Sequence, residues 1–280
     1  MFNYQPREYK NINFNASDLI QYDVELNLPM FLGKPASEIR NIIVVGAWQG
    51  DEVRSFLRLP DVHIYCFEAN PKTFEILRKL YQDESRVSCY NYACSNADGK
   101  ATFYETNIDG NGSLLKVGDH PIASAAGSFE VNTVKLDSLT ELSDKSIDLL
   151  WIDVQGAELA VLQGADNLLK KTDALFLEIN TQGSSYQGAV KASELEIFIG
   201  GYGFNKIAQG LDDTGLEGNA FYMKADQNIF DEKSVISRID KIVKLKVGKR
   251  EIYNNTLFKI VHRLTPQKIR TLLKKIIHLD

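Results

Sequence analysis

Two acidic residues and a pair of glycines stand where apolar runs of this chain stop, a placement suited to holding a polyhydroxylated, nucleotide-like ligand. Asp153 follows Leu149-Leu-Trp-Ile152, and Glu68 follows Val62-His-Ile-Tyr-Cys-Phe67. The run Ile42-Ile-Val-Val45 passes straight into Gly46-Ala-Trp-Gln-Gly50. Glycines at such a turn let the backbone bend sharply and approach a ligand that a side chain would exclude. A carboxylate only accepts hydrogen bonds and has two oxygens, so one acid can take both hydroxyls of a ribose. Glu68 lies 22 residues after Gly46, close to the ~20-residue offset expected for that role.

Each feature also has an ordinary reading. Two glycines serve a plain strand-to-helix turn, and the third glycine of the dinucleotide fingerprint is missing because Val53 and Arg54 follow. Capping of the next helix is the alternative for Glu68 and Asp153. Glu158 faces either the site or a neighbouring backbone. His120 lies in a Gly/Ser/Ala-rich stretch, Gly110 to Gly127, that reads either as a lid or as an ordinary loop. His63 falls inside a strand and reads as a core residue, and His262 and His278 belong to the C-terminal tail. No His, Cys and carboxylate cluster has metal-ligand spacing, although acids at Asp153 and Glu178 leave Mg²⁺ open.

The elements that must position these residues alternate. Ile42–Val45, Val62–Phe67, Val87–Ala93, Leu149–Ile152, Leu175–Ile179, Phe204–Ala208 and Ala220–Met223 are short, β-rich and nearly continuous in apolarity, as strands covered on both faces should be. Helix-forming segments separate the earlier ones, which predicts right-handed βαβ units in a doubly wound, mostly parallel seven-stranded Rossmann-like α/β sheet. Asn70-Pro71 supplies a cap and first-turn proline for a helix over 72–81, and a second helix is predicted over 157–169. The last two strands read as an antiparallel hairpin. Ligands of such sheets bind outside the carboxyl ends of the strands, where Gly46, Glu68 and Asp153 all fall.

Composition narrows the classes. The chain has 280 residues, 44% of them hydrophobic, enough for one sizeable core. Cys66, Cys89 and Cys94 have no paired spacing and read as buried thiols of a reducing compartment. No apolar run is long enough to span a membrane and no signal-peptide pattern opens the chain, so a cytoplasmic location is expected. The net charge of −5 conceals two regions: residues 225–280 hold 13 Lys/Arg against 6 Asp/Glu, and residues 1–224 hold 19 against 31. The domains expected are an N-terminal cap over 1–40, a main domain over 41–224 and a basic helical extension over 225–280. Helices are predicted over 231–247 and 257–279. The last is basic and amphipathic, suited to docking on the acidic body, to a partner subunit in a homo-oligomer, or to peripheral contact with an anionic membrane. Nucleic-acid binding is not expected, given few aromatics in the tail and an acidic body.

Several segments in order resemble the FkbM family of S-adenosylmethionine-dependent methyltransferases. They are Gly46-Ala47 with Gly50, Cys66-Phe-Glu-Ala-Asn-Pro71, Asn91-Tyr-Ala-Cys-Ser95, Leu150-Trp-Ile-Asp-Val-Gln-Gly-Ala-Glu-Leu159 and Leu162-Gln-Gly-Ala165, with Leu177-Glu-Ile179, Tyr186-Gln-Gly188 and Gly218-Asn-Ala-Phe-Tyr222 later. The resemblance covers about residues 40 to 224. It implies a class I methyltransferase fold and O-methylation of a hydroxyl on a glycan, glycolipid precursor or related small molecule. Carried over, Gly46, Ala47 and Gly50 would line the methionine part of the cofactor, Glu68 would hold the ribose, and Ala93, Cys94 and Ser95 would flank the adenine, with Asp153 beside them. The general base would be Asp153 or Glu178, with His120 as a third candidate. The chain departs from the family in having valines before Gly46, Trp48 after Ala47 and Gln155 in place of the commoner Glu. The alternative is a non-catalytic member of the fold that binds carbohydrate or assists assembly. Nicotinamide-dependent redox chemistry suits the two-glycine turn poorly.

Overall fold

A computed structural model describes residues 1–9, 12–120, 122–183, 185–224 and 232–252. In chain order the elements are β1 (Phe2–Asn3), β2 (Arg7–Tyr9), β3 (Ile12–Phe14), α1 (Ala16–Leu32), β4 (Asn41–Val45), α2 (Asp51–Phe56), β5 (His63–Phe67), α3 (Pro71–Tyr81), β6 (Val87–Tyr90), β7 (Ala93–Cys94), β8 (Gly99–Thr106), β9 (Ala125–Val134), β10 (Ile147–Ile152), α4 (Glu158–Gln163), α5 (Asp166–Lys170), β11 (Thr172–Asn180), α6 (Ala192–Gly200), β12 (Asn205–Leu211), β13 (Glu217–Met223) and α7 (Glu232–Ile252). Two units are present. One comprises residues 1–6 and 15–231, the other residues 7–14 and 232–280.

The first unit is an α/β fold around a mostly parallel sheet in the order β1-β12-β13-β11-β10-β4-β5-β6. All seven predicted strands are present, and the sheet has eight because Phe2 and Asn3 pair in parallel with Ala208 and Gln209 on the outer edge of β12. From β11 through β10, β4 and β5 to β6 the pairing is parallel, and β13 is antiparallel to both neighbours. The continuous apolarity has its physical cause here: every residue of β10 is buried, as are Ile42 to Val45 of β4. Val87–Ala93 divides, with β6 in the large sheet and β7 in a separate three-stranded sheet, β7-β9-β8. The antiparallel pair of β8 and β9 was not legible in the sequence because only Phe103, Val131, Thr133 and Val134 of the two strands are buried, too few to impose a period of two.

Helix ends follow local chemistry. Asn70 caps α3, its side chain accepting from the Lys72 N–H at 3.0 Å with Pro71 in the first turn, and Thr73, Leu77 and Tyr81 form its buried stripe. The predicted 157–169 helix is two, parted at Gly164 and Ala165, and Gly164 is required by a close approach, since a Cβ there would lie 1.9 Å from the Ser95 carbonyl oxygen. His63 has a partner, its Nε2 2.9 Å from Ser88 Oγ, but it is half-buried at the start of β5 and does not take the expected place in the core. The three cysteines are unbridged.

At the amino ends of the strands Asp148 fastens three segments. It accepts from Lys34 Nζ at 2.7 Å and from the Arg40 and Asn41 N–H groups at 2.8 and 3.0 Å. Asp148→Ala is therefore expected to lower stability by about 2–4 kcal/mol, since it strands two backbone donors, while the Lys34 ammonium keeps Asp173. Urea unfolding checks it, and a loss below about 1 kcal/mol would show that water replaces the carboxylate freely.

The second unit pairs β2 with β3 as an antiparallel hairpin and carries α7, whose Asp240 lies 3.6 Å from Arg7 Nη2. The helix predicted over 257–279 lies outside the described residues. Among the described residues no helix is long and apolar enough to cross a membrane.

Candidate functional site

The strand order reverses between β4 and β10: from β4 the chain moves to β5 and β6 on one side, and later to β10 and β11 on the other. A crevice opens at such a switch point, beyond the carboxyl ends. Here it is a hollow of about 270 Å³, whose wall includes Gly46, Trp48, Glu68, Ala93, Cys94, Asp153 and Gln155, with a covering segment from Glu105 to Leu114.

Gly46 is required by a close approach. Its φ is +82°, and a Cβ there would sit 1.7 Å from the Asp153 carbonyl oxygen. The two strand ends are thus laced together, the Asp153 N–H donating to Val45 O at 3.0 Å and the Gly46 N–H to Phe67 O at 3.0 Å. That contact brings β4, β5 and β10 to one rim.

Glu68 is buried at the next strand end, with 7% of its surface exposed. Its Oε2 accepts from the Trp48 N–H at 2.9 Å and its Oε1 from the Asn70 N–H at 2.8 Å. The Asn91 side chain donates to the Glu68 carbonyl at 2.8 Å and fixes the strand end behind it. Burial raises the Glu68 carboxyl to about 7, against the pull of the backbone N–H groups. Trp48 holds its amide there from a left-handed conformation, φ 42°, which is strained for a non-glycine residue. Its indole covers Gly110 and points Nε1 toward Asp109 Oδ1 at 3.4 Å.

Across the hollow, Gln155 also occupies the left-handed region, φ 56°. From there its Nε2 donates to Asp153 Oδ1 at 2.8 Å and to Glu178 Oε2 at 3.0 Å, while its Oε1 accepts from the Tyr186 hydroxyl at 3.1 Å. Gln155 Nε2 thus bridges the Asp153 and Glu178 carboxyls. Burial raises both, and Glu178 is also pushed up by the charges of Asp153, Glu158 and Glu217. Glu158 is not at the rim: its Oε1 accepts from the Val154 and Gly156 N–H groups at 3.2 and 3.1 Å, and burial raises it to about 7.

Other residues singled out from the sequence occupy different places. Ala47 is fully buried behind the turn. Gly50 faces Tyr81, whose hydroxyl donates to its carbonyl at 2.7 Å. The Ser95 N–H donates to Val134 O at 2.9 Å, and Ser95 lies off the hollow wall although Ala93 and Cys94 form part of it. His120 is tied to its own loop: Nδ1 accepts from the Ile122 and Ala123 N–H groups at 3.2 and 2.9 Å, and Nε2 lies 3.7 Å from Glu217 Oε2. Among the described residues no group of three or more His, Cys, Asp or Glu is arranged to hold a metal ion. Tyr186 and Gln155 lie in segments that carry the family resemblance, but their hydrogen bond to each other, and the place of Glu217, escaped the sequence reading because the three lie on separate segments.

The raised carboxyls make a stability prediction. A folded-state value above the unfolded one stabilises the protein below the unfolded value of 4.5, and that stabilisation is lost as pH climbs through the folded value. Glu68 and Glu158 rise to about 7 and Glu52, ringed by protein beside the hollow, to about 8, each chiefly through burial. The ligand-free protein is expected to melt at least about 3 °C lower at pH 8.5 than at pH 6.5. Differential scanning fluorimetry across that interval checks the sign, and a rising Tm would contradict it.

Comparison with known proteins agrees with this geometry. Residues 45–206 match the model of the methyltransferase FkbM domain. The 2-O-methyltransferase NoeI of Sinorhizobium fredii is 31% identical over 160 residues, 52% of this chain and 65% of the relative. The hexuronic acid methyltransferase AglP of Haloferax volcanii is 29% identical over 123 residues, 42% of this chain and 47% of the relative. The matched segments thus span less than two thirds of either relative. Fibrillarin of Aeropyrum pernix, solved with natively bound S-adenosyl-L-methionine, is 13% identical with a TM-score of 0.42, over 79% of this chain and 82% of that one. With the family match covering more than half the chain and falling on the segment that builds the hollow, this protein belongs to the FkbM methyltransferase family.

Proposed function

We propose that this protein is an S-adenosylmethionine-dependent O-methyltransferase acting on a hydroxyl of a glycan, glycolipid precursor or related metabolite. The observation that carries the reading is the convergence of the Gly46 turn, Glu68 and Asp153 on one hollow at the switch point. The donor set suits an adenosyl group. Each Glu68 oxygen accepts one backbone N–H and keeps a second lone pair, the arrangement that two vicinal ribose hydroxyls need. Gly46 would border the methionine portion, and Ala93 and Cys94 the adenine. When bound, the cofactor supplies an electrophilic methyl group on a sulfonium.

The chain's own residues then have two tasks. The first is alignment of the acceptor oxygen between the rim and the 105–114 segment, which can supply ~7 kcal/mol or more. The second is receipt of the hydroxyl proton, worth roughly 10²- to 10⁴-fold. Asp153 is the group for it: it lines the hollow, and the Gln155 side-chain amide holds its Oδ1 at 2.8 Å. His120 serves the loop instead, because Nδ1 already accepts two N–H groups and the proton then sits on Nε2, leaving no free lone pair. The hexuronic acid in the name of one relative supports an acceptor of carbohydrate type, and the 2-O-methyl transfer in the name of the other supports transfer to oxygen.

Titration calorimetry with S-adenosylmethionine tests the reading, and folded protein that releases no binding heat overturns it. A ribose held by ionised Glu68 also sets a pH dependence. With Glu68 near 7, affinity is expected to be roughly tenfold weaker at pH 6 than at pH 8, and this dependence should vanish in Glu68→Gln.

A further inference from the structure

We infer that the acceptor is an uncharged or cationic sugar, and that the site discriminates against uronates and phosphorylated sugars. This rests on the methyl-transfer reading above and concerns the other end of the same hollow. Among the described residues the wall contains five acids, Glu52, Glu68, Glu105, Asp109 and Asp153, and not one Lys, Arg or His. Two of them, Glu105 and Asp109, lie on the segment that covers the site from outside, where an acceptor must pass. Their present partners are weak. Asp109 receives only the Trp48 indole N–H at 3.4 Å. Glu105 receives the Asn70 side-chain amide at 3.3 Å and stands 3.9 Å from the ammonium of Lys72, which is largely exposed. Among the described residues this is the one ion pair recorded for any of the five.

Sugar hydroxyls are donors, and carboxylates with unused lone pairs are the acceptors that suit them. The remaining polar groups on that side, Thr106, Asn111 and Ser113, are neutral, and Trp48 contributes an aromatic wall of the kind on which the C–H face of a pyranose rests. An anionic acceptor would meet like charge with no fork on the wall to receive it, the nearby Lys72 ammonium being already set against Glu105. Arginine is the usual recognition element for carboxylate and phosphate, and it is missing from the wall. A specificity of this kind works by exclusion as much as by attraction. It would set this protein apart from a relative named for hexuronic acid methylation.

The test uses matched p-nitrophenyl β-D-glycosides that differ only at carbon six: the glucoside, the 6-amino-6-deoxyglucoside and the glucuronide. Methylated glycoside is measured by mass spectrometry at subsaturating acceptor, after calorimetry has established that S-adenosylmethionine binds. The expected result is transfer to the glucoside and its amino analogue at least tenfold faster than to the glucuronide, with the gap narrowing as salt is raised. Equal or faster transfer to the glucuronide overturns the inference, and so does failure of all three by protein that binds the cofactor. Protein that is folded but does not bind the cofactor fails the methyl-transfer reading itself, a separate outcome. The double variant Glu105→Gln/Asp109→Asn should shrink the glucoside-to-glucuronide ratio at least about threefold, and an unchanged ratio removes these two carboxylates from the explanation.

Discussion

Replacing Glu68 with alanine is expected to weaken S-adenosylmethionine binding at least about a hundredfold while the protein remains folded. A hundredfold corresponds to about 2.7 kcal/mol, within what two hydrogen bonds to a charged group supply at about 1.5–3 kcal/mol each. The loss has a second component. The carboxylate also ties the Trp48 and Asn70 N–H groups, so its removal loosens the turn that precedes α2 and the cap of α3. Glu68→Gln separates the two contributions. The glutamine keeps the volume, but its NH₂ must face one of those backbone donors, so its affinity should fall between wild type and alanine. Calorimetry supplies the dissociation constants and circular dichroism the fold. Binding within threefold of wild type in both variants, with both folded, removes Glu68 from the site.

The second large effect concerns folding. Gly46→Ala is expected to destabilise the protein by more than about 4 kcal/mol, or to prevent accumulation of folded protein, because two penalties coincide. The backbone at φ +82° disfavours any Cβ, and the added atom would lie 1.7 Å from the Asp153 carbonyl oxygen, a group that cannot swing aside without separating β4 from β10. Gly188→Ala is the matched comparison: φ is +90° there, but the added Cβ meets open space. That variant should lose only about 1 kcal/mol, and urea unfolding of the pair isolates the collision from the backbone strain. A Gly46→Ala loss no larger than that of Gly188→Ala would mean that the strand ends yield easily.

The sequence by itself determined the sheet and the three points that face the hollow. Uninterrupted apolar runs such as Ile42 to Val45 and Leu149 to Ile152 have no stable place except between two covering layers, and glycine or an acid directly after such a run falls at the strand's carboxyl end. Tertiary structure alone decided the chemistry around those points. Glu178 stands near Asp153 because β10 and β11 are neighbours, and Gln155 bridges the two from a left-handed conformation that no propensity would assign to glutamine. Asp148 proves to be a clamp because Lys34 and the Arg40 and Asn41 amides, more than 100 residues earlier, meet it at the strands' amino ends. The role of His120 changed for the same reason, its ring nitrogen being consumed by local N–H groups. Hydrophobic pattern is a local property that burial writes into consecutive residues, whereas hydrogen-bond partnership depends on distances that exist only once the chain has closed.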